Sequence, residues 1–494
     1  MPVDHEKDML ETVVQKMPSS KKTDLKEHYN RLPDTVMWWS AKNKFYHSEI
    51  LKYYSFLIPP GSSILELGCG TGDLIGQLHP SLGVGVDVSE RIIATAKERY
   101  PQVQFISSDV ENFKSDQRFD YVVIAGTLGS VENIQALLKN VQKMTTSDTR
   151  IIISYYNELW GPVLRWAEKI GLKMPDIIFN WLSVDDIENF LYISGYQVIK
   201  KEFNILFPWP VPIINFLFNK ILARLPIIRR LTLVHSVVAR PDKAPERTSD
   251  LTCSVVLTCR DEEENIEELV TRIPQMGKHT EIIFVEGHSK DNTVGKIQEM
   301  IKKYPQKDIK LFKQKGIGQG DAFRLGFDEA RGDLVCWLEA DLTAPPEEIA
   351  LFWDAYITGK GEYINGSRFI YQMEKDAMPF FNFLGNRFFG NLFTILLGQR
   401  FTDTLCGFKA ISKKNYIKIR KQIDFFGDFD PFGDFQLIFG AVKNSLKVAE
   451  IPVHYQPRQY GESKAYGKTF LSFLKHAGLL LRMSWIAFVK FGMH

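Results

Sequence analysis

The sequence predicts an α/β protein made of two doubly wound nucleotide-binding domains in tandem. Three observations predict it. A buried strand at 64–67 runs into a glycine-rich turn that opens a helix. A later series of four strands alternating with helices ends on two carboxylates, Glu339 and Asp341. A polar, proline-bearing stretch at 241–250 separates the two halves. At 494 residues the chain is too long for one core. The expected division is a lead-in at 1–34, a first domain at 35–240, a linker at 241–250, a second domain at 251–465 and an amphipathic segment at 466–494.

Composition excludes several function classes. A net charge of +2 gives no general drive toward nucleic acid, and no such partner is expected. Five scattered cysteines, an odd number without zinc-type spacing, fit a reducing compartment. The charged start MPVDHEKDML lacks the apolar run of a signal peptide. No stretch of about 18 apolar residues is free of charge, so no transmembrane helix is expected. The expected location is cytoplasmic, with peripheral contact at the inner face of the membrane through 205–240 and 470–493.

In chain order, aromatic and apolar residues recur at helical spacing from Trp38 to Leu57, a stripe that reads as core or as a lid over a pocket. Pro59, Pro60 and Gly61 stop that helix. The strand at 64–67 then meets Gly68-x-Gly70-x-Gly72, where glycines allow positive φ and close approach of backbone to a ligand. A second strand ends near Asp87, an acid placed to bind ribose hydroxyls. A third ends at Ser108 and Asp109, suited to an adenine amino group, and a fourth covers 119–125. Strands at 150–155, 196–203 and 233–240 complete a seven-stranded sheet.

The order LELGCGTG, VGVDVS, SSDVE, FDYVVIAG resembles class I S-adenosylmethionine-dependent methyltransferases over roughly residues 35–240. That resemblance implies S-adenosylmethionine as cofactor. Glu66, Gly68, Gly70 and Gly72 would surround its methionine part, Asp87 its ribose, and Asp109 with Val110 its adenine. A dehydrogenase is the weaker alternative, because the glycine spacing differs and no nicotinamide signature follows. The loop Gly126-Thr127-Leu128-Gly129 lacks the N-P-P-Y signature of enzymes that methylate amide or amino nitrogens of macromolecules. Tyr155, Tyr156, Asn157 and Trp160 read either as an acceptor pocket or as strand-end packing. The apolar, proline-rich run at 205–240 reads as an insertion that packs on the sheet or lies in a membrane interface.

In the second half, strands are expected at 253–258, 281–285, 310–312 and 334–338. Glycines in the loop at 313–327, with Gly320 and Asp321, permit close approach to a diphosphate. At the end of the fourth strand Glu339 and Asp341 point the same way. Two hard oxygen ligands there suit Mg²⁺ or Mn²⁺ held jointly with substrate phosphates. Alone, the pair reads equally as an acidic turn.

The order of motifs over 251–465 resembles GT-A-fold, family-2-type glycosyltransferases, especially the polyprenyl- and dolichol-phosphate sugar synthase branch. The usual P-T-Y-N-E is Thr258-Cys259-Arg260-Asp261-Glu262, the usual D-D-x-S is Glu286-Gly287-His288-Ser289, and the usual D-A-D is Glu339-Ala340-Asp341. The resemblance implies that Thr258, Arg260, Glu262 and Glu286 contact the nucleoside of a nucleotide-sugar donor. Glu339 and Asp341 would take metal and diphosphate. Gly366-Ser367-Arg368 matches a G-S-R segment, and Arg368 would hold a phosphate oxygen. Thr402 to Phe408 matches the D-x-x-S-G-F region near the acceptor, and Asp434 is the retained acid of a later helix. Arg458 to Lys464 matches R-x-x-G-E-S-K, with Arg458 and Lys464 as phosphate clamps. Arg387 on an aromatic helix is a weaker match.

The charge that builds on a departing nucleoside diphosphate is stabilised by a divalent ion and fixed cations. A phosphate acceptor needs no general base, whereas a hydroxyl acceptor does, with Asp403, Asp430 and Asp434 as candidates. The segment from 466 onward, with Lys475, His476, Arg482 and Lys490 among aromatics, reads as an interfacial helix or as a docking helix. The expectation is a bifunctional transferase that moves a sugar to a polyprenyl-phosphate or related glycan-lipid acceptor and methylates a small molecule or glycan. The alternatives are one non-catalytic domain, or a tailoring enzyme acting on a hydroxyl of a soluble metabolite or glycan.

Overall fold

A computed structural model describes residues 20–30, 33–174, 178, 180–243, 250–371, 373, 378–426, 433–458, 460 and 470–492. Most of the lead-in, the linker at 244–249, Asp430 and Lys464 therefore lie outside the described residues. The chain divides into two compact units. One is Met1–Gly195 with Phe207–Val211 and Leu231–Ser236; the other is Tyr196–Leu206 with Pro212–Arg230 and Val237–His494.

Three helices come first: α1 (Ser20–Asn30), α2 (Pro33–Lys42) and α3 (Lys44–Leu57). The first sheet contains β1 (Ser63–Leu67), β2 (Leu82–Asp87), β3 (Gln104–Ser107), β4 (Tyr121–Ala125), β5 (Arg150–Tyr156), β6 (Tyr196–Asn204) and β7 (Val234–Pro241). Its order is β3-β2-β1-β4-β5-β7-β6. The pairs β2–β3, β1–β2, β1–β4 and β4–β5 are parallel. Ile64, Leu65, Leu67 and Val122 to Ile124 are all fully buried, as expected of parallel strands covered on both faces. Strand order reverses between β1 and β4, and a crevice opens there at the carboxyl ends of both.

The second sheet contains β8 (Cys253–Cys259), β9 (Thr280–Glu286), β10 (Asp308–Lys313), β11 (Leu334–Glu339), β12 (Tyr363–Ser367), β13 (Lys409–Ser412) and β14 (Val448–Pro452). Its order is β10-β9-β8-β11-β13-β12-β14. The first four strands are parallel, whereas β13 runs antiparallel to both β11 and β12. The switch point falls between β8 and β11, whose register pairs Thr258 with Glu339. The end of the acidic strand therefore lies beside the start of the Thr258–Glu262 loop. Four helices of this unit matter below: α4 (Gln319–Glu329), α5 (Phe380–Leu397), α6 (Asp434–Lys443) and α7 (Phe470–Gly492). The first sheet matches the seven expected strands, and β8 to β11 match the four expected in the second half, to which the structure adds β12, β13 and β14; the fold is two doubly wound α/β sheets.

Candidate active sites

In the first unit a cavity of about 390 Å³ opens at the β1–β4 switch point. Glu66, Gly68, Gly70, Asp87, Asp109 and Val110 all line it, so the structure brings six of the seven expected cofactor residues together. Gly72 stands just behind them as the residue that caps the helix Asp73–Gln77, with φ +76°. A Cβ on Gly68 would collide with the Thr127 side chain, whose hydroxyl donates to the Leu67 carbonyl at 2.8 Å. The tight turn thus clamps the loops after β1 and β4 across the crevice.

The acids differ in what holds them. Glu66 is buried, and its carboxyl accepts one hydrogen bond, from the Ile75 amide at 3.1 Å. Burial, with Asp87 and Asp73 nearby, pushes its pKa up to about 8. Asp87 accepts from the Gly70 amide at 3.0 Å and the Ser89 amide at 3.1 Å, and burial raises it as well. Asp109 ties its own turn, accepting from the Glu111 amide at 3.0 Å and Asn112 Nδ2 at 2.8 Å.

Of the four residues read as acceptor pocket or strand-end packing, Tyr155 and Tyr156, the last two of β5, line the cavity. Asn157 and Trp160 do structural work instead: Asn157 Nδ2 donates to the Thr232 carbonyl at 2.9 Å and Trp160 Nε1 to the Leu231 carbonyl at 2.8 Å. Sequence reasoning passed over Ser40, His47, Asp73 and Ser154, all part of the lining. The signal for His47 was present, because the aromatic stripe around it was read as core or lid.

In the second unit a chain of charges runs across the β8–β11 switch point. Arg458 donates from Nη2 to Asp341 Oδ2 at 2.8 Å and from Nη1 to Glu262 Oε1 at 3.2 Å. Asp341 is buried, and its other oxygen accepts from the Thr343 amide at 3.1 Å and hydroxyl at 2.7 Å. Glu339 accepts from Gln319 Nε2, on α4, at 2.7 Å. Its pKa is raised by burial first and by the nearby charge of Asp341 second. A Cβ on Gly407 would lie 2.5 Å from Glu339 Cγ, which explains the glycine in that turn.

The other predicted donor residues are held by local contacts. Thr258 accepts from Trp337 Nε1 at 3.2 Å. Glu286 closes its own turn on the Ser289 amide. Asp321 accepts from the Gly316 amide at 2.8 Å, and Gly320 is buried beside it on α4. Arg260 and Arg387 are exposed.

Arg368 and Asp403 are paired with each other. Arg368 donates to Asp403 through Nε at 2.7 Å and Nη2 at 2.9 Å, and Asp403, with no exposed surface, also accepts from the Leu405 amide at 3.1 Å. Asp434 at the start of α6 pairs with Lys409 Nζ at 2.8 Å, both buried. Lys409 also donates to Asn365 Oδ1 at 3.1 Å. Among the described residues no group of three or more His, Cys, Asp or Glu is placed to hold a metal ion. Glu339 and Asp341 remain as a pair whose mutual repulsion a divalent ion would relieve.

Residues 254–420 match the family model for glycosyl transferase family 2, and residues 58–181 match that for a methyltransferase domain. The dolichol-phosphate mannosyltransferase of Pyrococcus furiosus is 33% identical over 232 residues, covering 46% of this chain and 63% of its own length. An undecaprenyl-phosphate 4-deoxy-4-formamido-L-arabinose transferase of Edwardsiella ictaluri is 29% identical over 220 residues, covering 43% and 62%. This chain thus spans less than two thirds of either relative. The magnesium protoporphyrin IX methyltransferase of Synechocystis, solved with bound SAH, is 17% identical with a TM-score of 0.33 and covers 45% of this chain and 99% of that one.

Proposed function

We propose that this chain, which joins a methyltransferase domain to a family 2 glycosyl transferase domain, transfers a sugar from a nucleotide-sugar donor to a polyprenyl-phosphate acceptor. Its first domain transfers methyl groups from S-adenosylmethionine. One observation carries the choice of a phosphate acceptor. The described carboxylates that could act as a base for a hydroxyl acceptor, Asp403 and Asp434, are buried and held by Arg368 and Lys409. A phosphate monoester is already ionised near neutral pH and needs no base. The names of both relatives, one dolichol-phosphate and one undecaprenyl-phosphate, support the same reading.

In this reading Thr258, Arg260, Glu262 and Glu286 bind the nucleoside, with Gly320 and Asp321 beside the diphosphate. Glu339 and Asp341 are the residues that would hold Mg²⁺ or Mn²⁺, whose charge stabilises the leaving diphosphate. Arg458 is the mobile cation of the site, moving from Asp341 to the diphosphate when the donor binds. Arg368 is locked by Asp403 and acts as a fixed positive charge near Glu339. Lys464 completes the phosphate clamp.

The reading also includes a bilayer surface as the source of the acceptor. Among the described residues no helix is long and apolar enough to cross a membrane. The segments 212–230, 380–397 and 470–492 contain no Asp or Glu, yet they carry Lys220, Arg224, Arg229, Arg230, Arg482 and Lys490. Ile213 and Ile227 are 84% exposed, Phe380 70% and Trp485 64%. The segments meet one another: α5 packs along α7, and Arg224 Nη2 donates to the Phe491 carbonyl at 3.3 Å. Exposed aromatics with cations and no carboxylates fit an anionic lipid headgroup layer.

The test is transfer of radiolabelled sugar from UDP- and GDP-sugars to undecaprenyl or dolichyl phosphate in vesicles containing anionic lipid. Label should enter the lipid phase, should require Mg²⁺ or Mn²⁺, and should fall when anionic lipid is omitted. Label appearing only on water-soluble hydroxyl acceptors would contradict the reading.

A further inference from the structure

The methyl acceptor is the part of the chemistry that sequence motifs leave open, and the cavity around the β1–β4 switch point limits it by charge. Five carboxylates line the cavity: Glu66, Asp73, Asp87, Asp109 and Glu111. Among the described residues no lysine or arginine lines it. Two described cations, Arg99 and Lys173, lie beside its walls and are each paired with a carboxylate, and Lys173 Nζ also lies 5.9 Å from the centroid of the Tyr156 ring. Arg99 holds Asp73 from behind through two bonds of 2.8 and 2.6 Å, and Lys173 is held by Glu168 at 2.6 Å and the Met174 carbonyl at 3.0 Å. An acceptor bearing phosphate or carboxylate would meet these acids, of which burial keeps Glu66 largely protonated near neutral pH, and would find no described cation on the cavity wall to pair with. This is the reverse of the second unit, where Arg368 and Arg458 lie at the switch point.

Beyond the acids, the cavity wall has an apolar and aromatic part, Val36, Ile50, Met174 and Ile178 with Tyr46 and Tyr156, interspersed with hydroxyls such as Ser40 and Ser154. The two tyrosines are fixed by each other, their rings 6.0 Å apart and their hydroxyls hydrogen-bonded. On α3, next to Tyr46, the His47 ring also lines the cavity, with its centroid 5.2 Å from that of Tyr46. Its imidazole has no hydrogen-bond partner among the described residues and is free for a ligand.

We propose that the methyl acceptor is an oxygen- or nitrogen-bound X–H group on an apolar molecule without phosphate or carboxylate, and that His47 is the base that takes its proton. The inference rests on the methyl-transfer reading above and deepens it. In the step, the acceptor lone pair forms the X–CH₃ bond as the S–CH₃ bond of S-adenosylmethionine breaks. The bond pair remains on sulfur as a neutral thioether, and the X–H proton passes to the imidazole. His47 is suited to this because it is solvent-accessible and partial desolvation at the cavity wall lowers its pKa, which favours the neutral ring, against the opposing charge of Asp73. The other titratable groups around the cavity are Glu66, Asp87, Asp109, Glu111, Cys69, Tyr29, Tyr46, Tyr155 and Tyr156, with Arg99 and Tyr100 behind Asp73 and Lys173 beside Tyr156. A consequence is that a phosphate-bearing lipid or nucleotide sugar is not itself the methyl acceptor.

The test uses the full chain with methyl-labelled S-adenosylmethionine and a small-molecule metabolite extract, the products being passed over an anion exchanger at pH 8. Label should emerge in the unretained, neutral or cationic fraction. Retained label would overturn the proposal on acceptor charge. His47→Gln should lower labelled product by at least ~100-fold while the calorimetric affinity for S-adenosylhomocysteine stays within about twofold. The wild-type rate should fall through an acid limb below the ordinary histidine value of about 6.5, a limb absent from the residual rate of the variant. An unchanged rate or an unchanged limb in His47→Gln would overturn the assignment of the base. Failure of S-adenosylhomocysteine to bind the wild-type chain would instead remove the methyl-transfer reading on which the proposal stands.

Discussion

Asp341→Ala is expected to abolish sugar transfer, lowering kcat/KM by at least ~10³-fold, while methyl transfer stays at its wild-type rate. The reason is local. Asp341 is the buried acid near Glu339, and it shares Arg458 with Glu262. Its removal takes away one of the two oxygen ligands proposed for the divalent ion at the diphosphate and releases Arg458 to Glu262 alone. The Thr343 amide and hydroxyl also lose their acceptor, so the turn after β11 loosens. Asp341→Asn keeps that turn, because its amide oxygen still accepts, and isolates the loss of charge. Steady-state kinetics of both variants check the point. Equal loss in the two assigns the effect to charge, and loss in Ala alone assigns it to the turn.

Glu66→Gln is expected to stabilise the unliganded chain at high pH and to weaken the cofactor. Burial pushes the Glu66 carboxyl in the unliganded protein from its ordinary 4.5 up to about 8. A raised pKa means that the folded state holds its proton more tightly than the unfolded chain. That stabilising preference is fully present below about pH 4.5 and is lost as pH rises through about 8. Relative to the glutamine variant, which carries no proton equilibrium, the wild type should lose stability across this window. The upper limit is about 5 kcal/mol. Urea denaturation of the two proteins at pH 4, 6 and 8.5 measures the difference, which should grow with pH. A cationic ligand reverses the sign, since it favours the carboxylate. S-adenosylmethionine affinity should therefore rise from pH 6 to 8 in the wild type, and the variant should lose roughly 1.5–3 kcal/mol of it. Parallel denaturation curves at all pH values would contradict the burial argument.

Much of the fold was legible because it depends on local pattern. Runs such as Val255–Val256–Leu257 and Ile282–Ile283–Phe284 are apolar without alternation, and both lie buried in parallel strands. Glycines at 68, 70 and 72 stand where the backbone takes positive φ. The acids at strand ends, Glu66, Asp87, Glu339 and Asp341, fall at the two switch points because strand order alone puts them there.

What stayed hidden depends on partners distant in the chain. Asp403 and Asp434 read as free acids in sequence, yet their buried partners Arg368 and Lys409 come from other strands. A general base and a buried structural ion pair have the same one-letter code. The segment 212–230 lies between two strands of the first sheet, but it groups with the second unit, where Arg224 meets the end of α7. His47 was obscured by its neighbours, since the aromatic stripe on α3 carries the helical period of a core face.

The central claim is that one chain holds two independent ligand sites, one for S-adenosylmethionine and one for a nucleotide sugar. Isothermal titration calorimetry on the full chain tests it most directly. S-adenosylhomocysteine is titrated first, then UDP- and GDP-sugars with Mn²⁺, each alone and in the presence of the other ligand. The account predicts one equivalent of each ligand, with affinities that do not depend on the other, and loss of only the nucleotide-sugar heat in Asp341→Ala. Competition between the two ligands, or absence of heat from both, would contradict it.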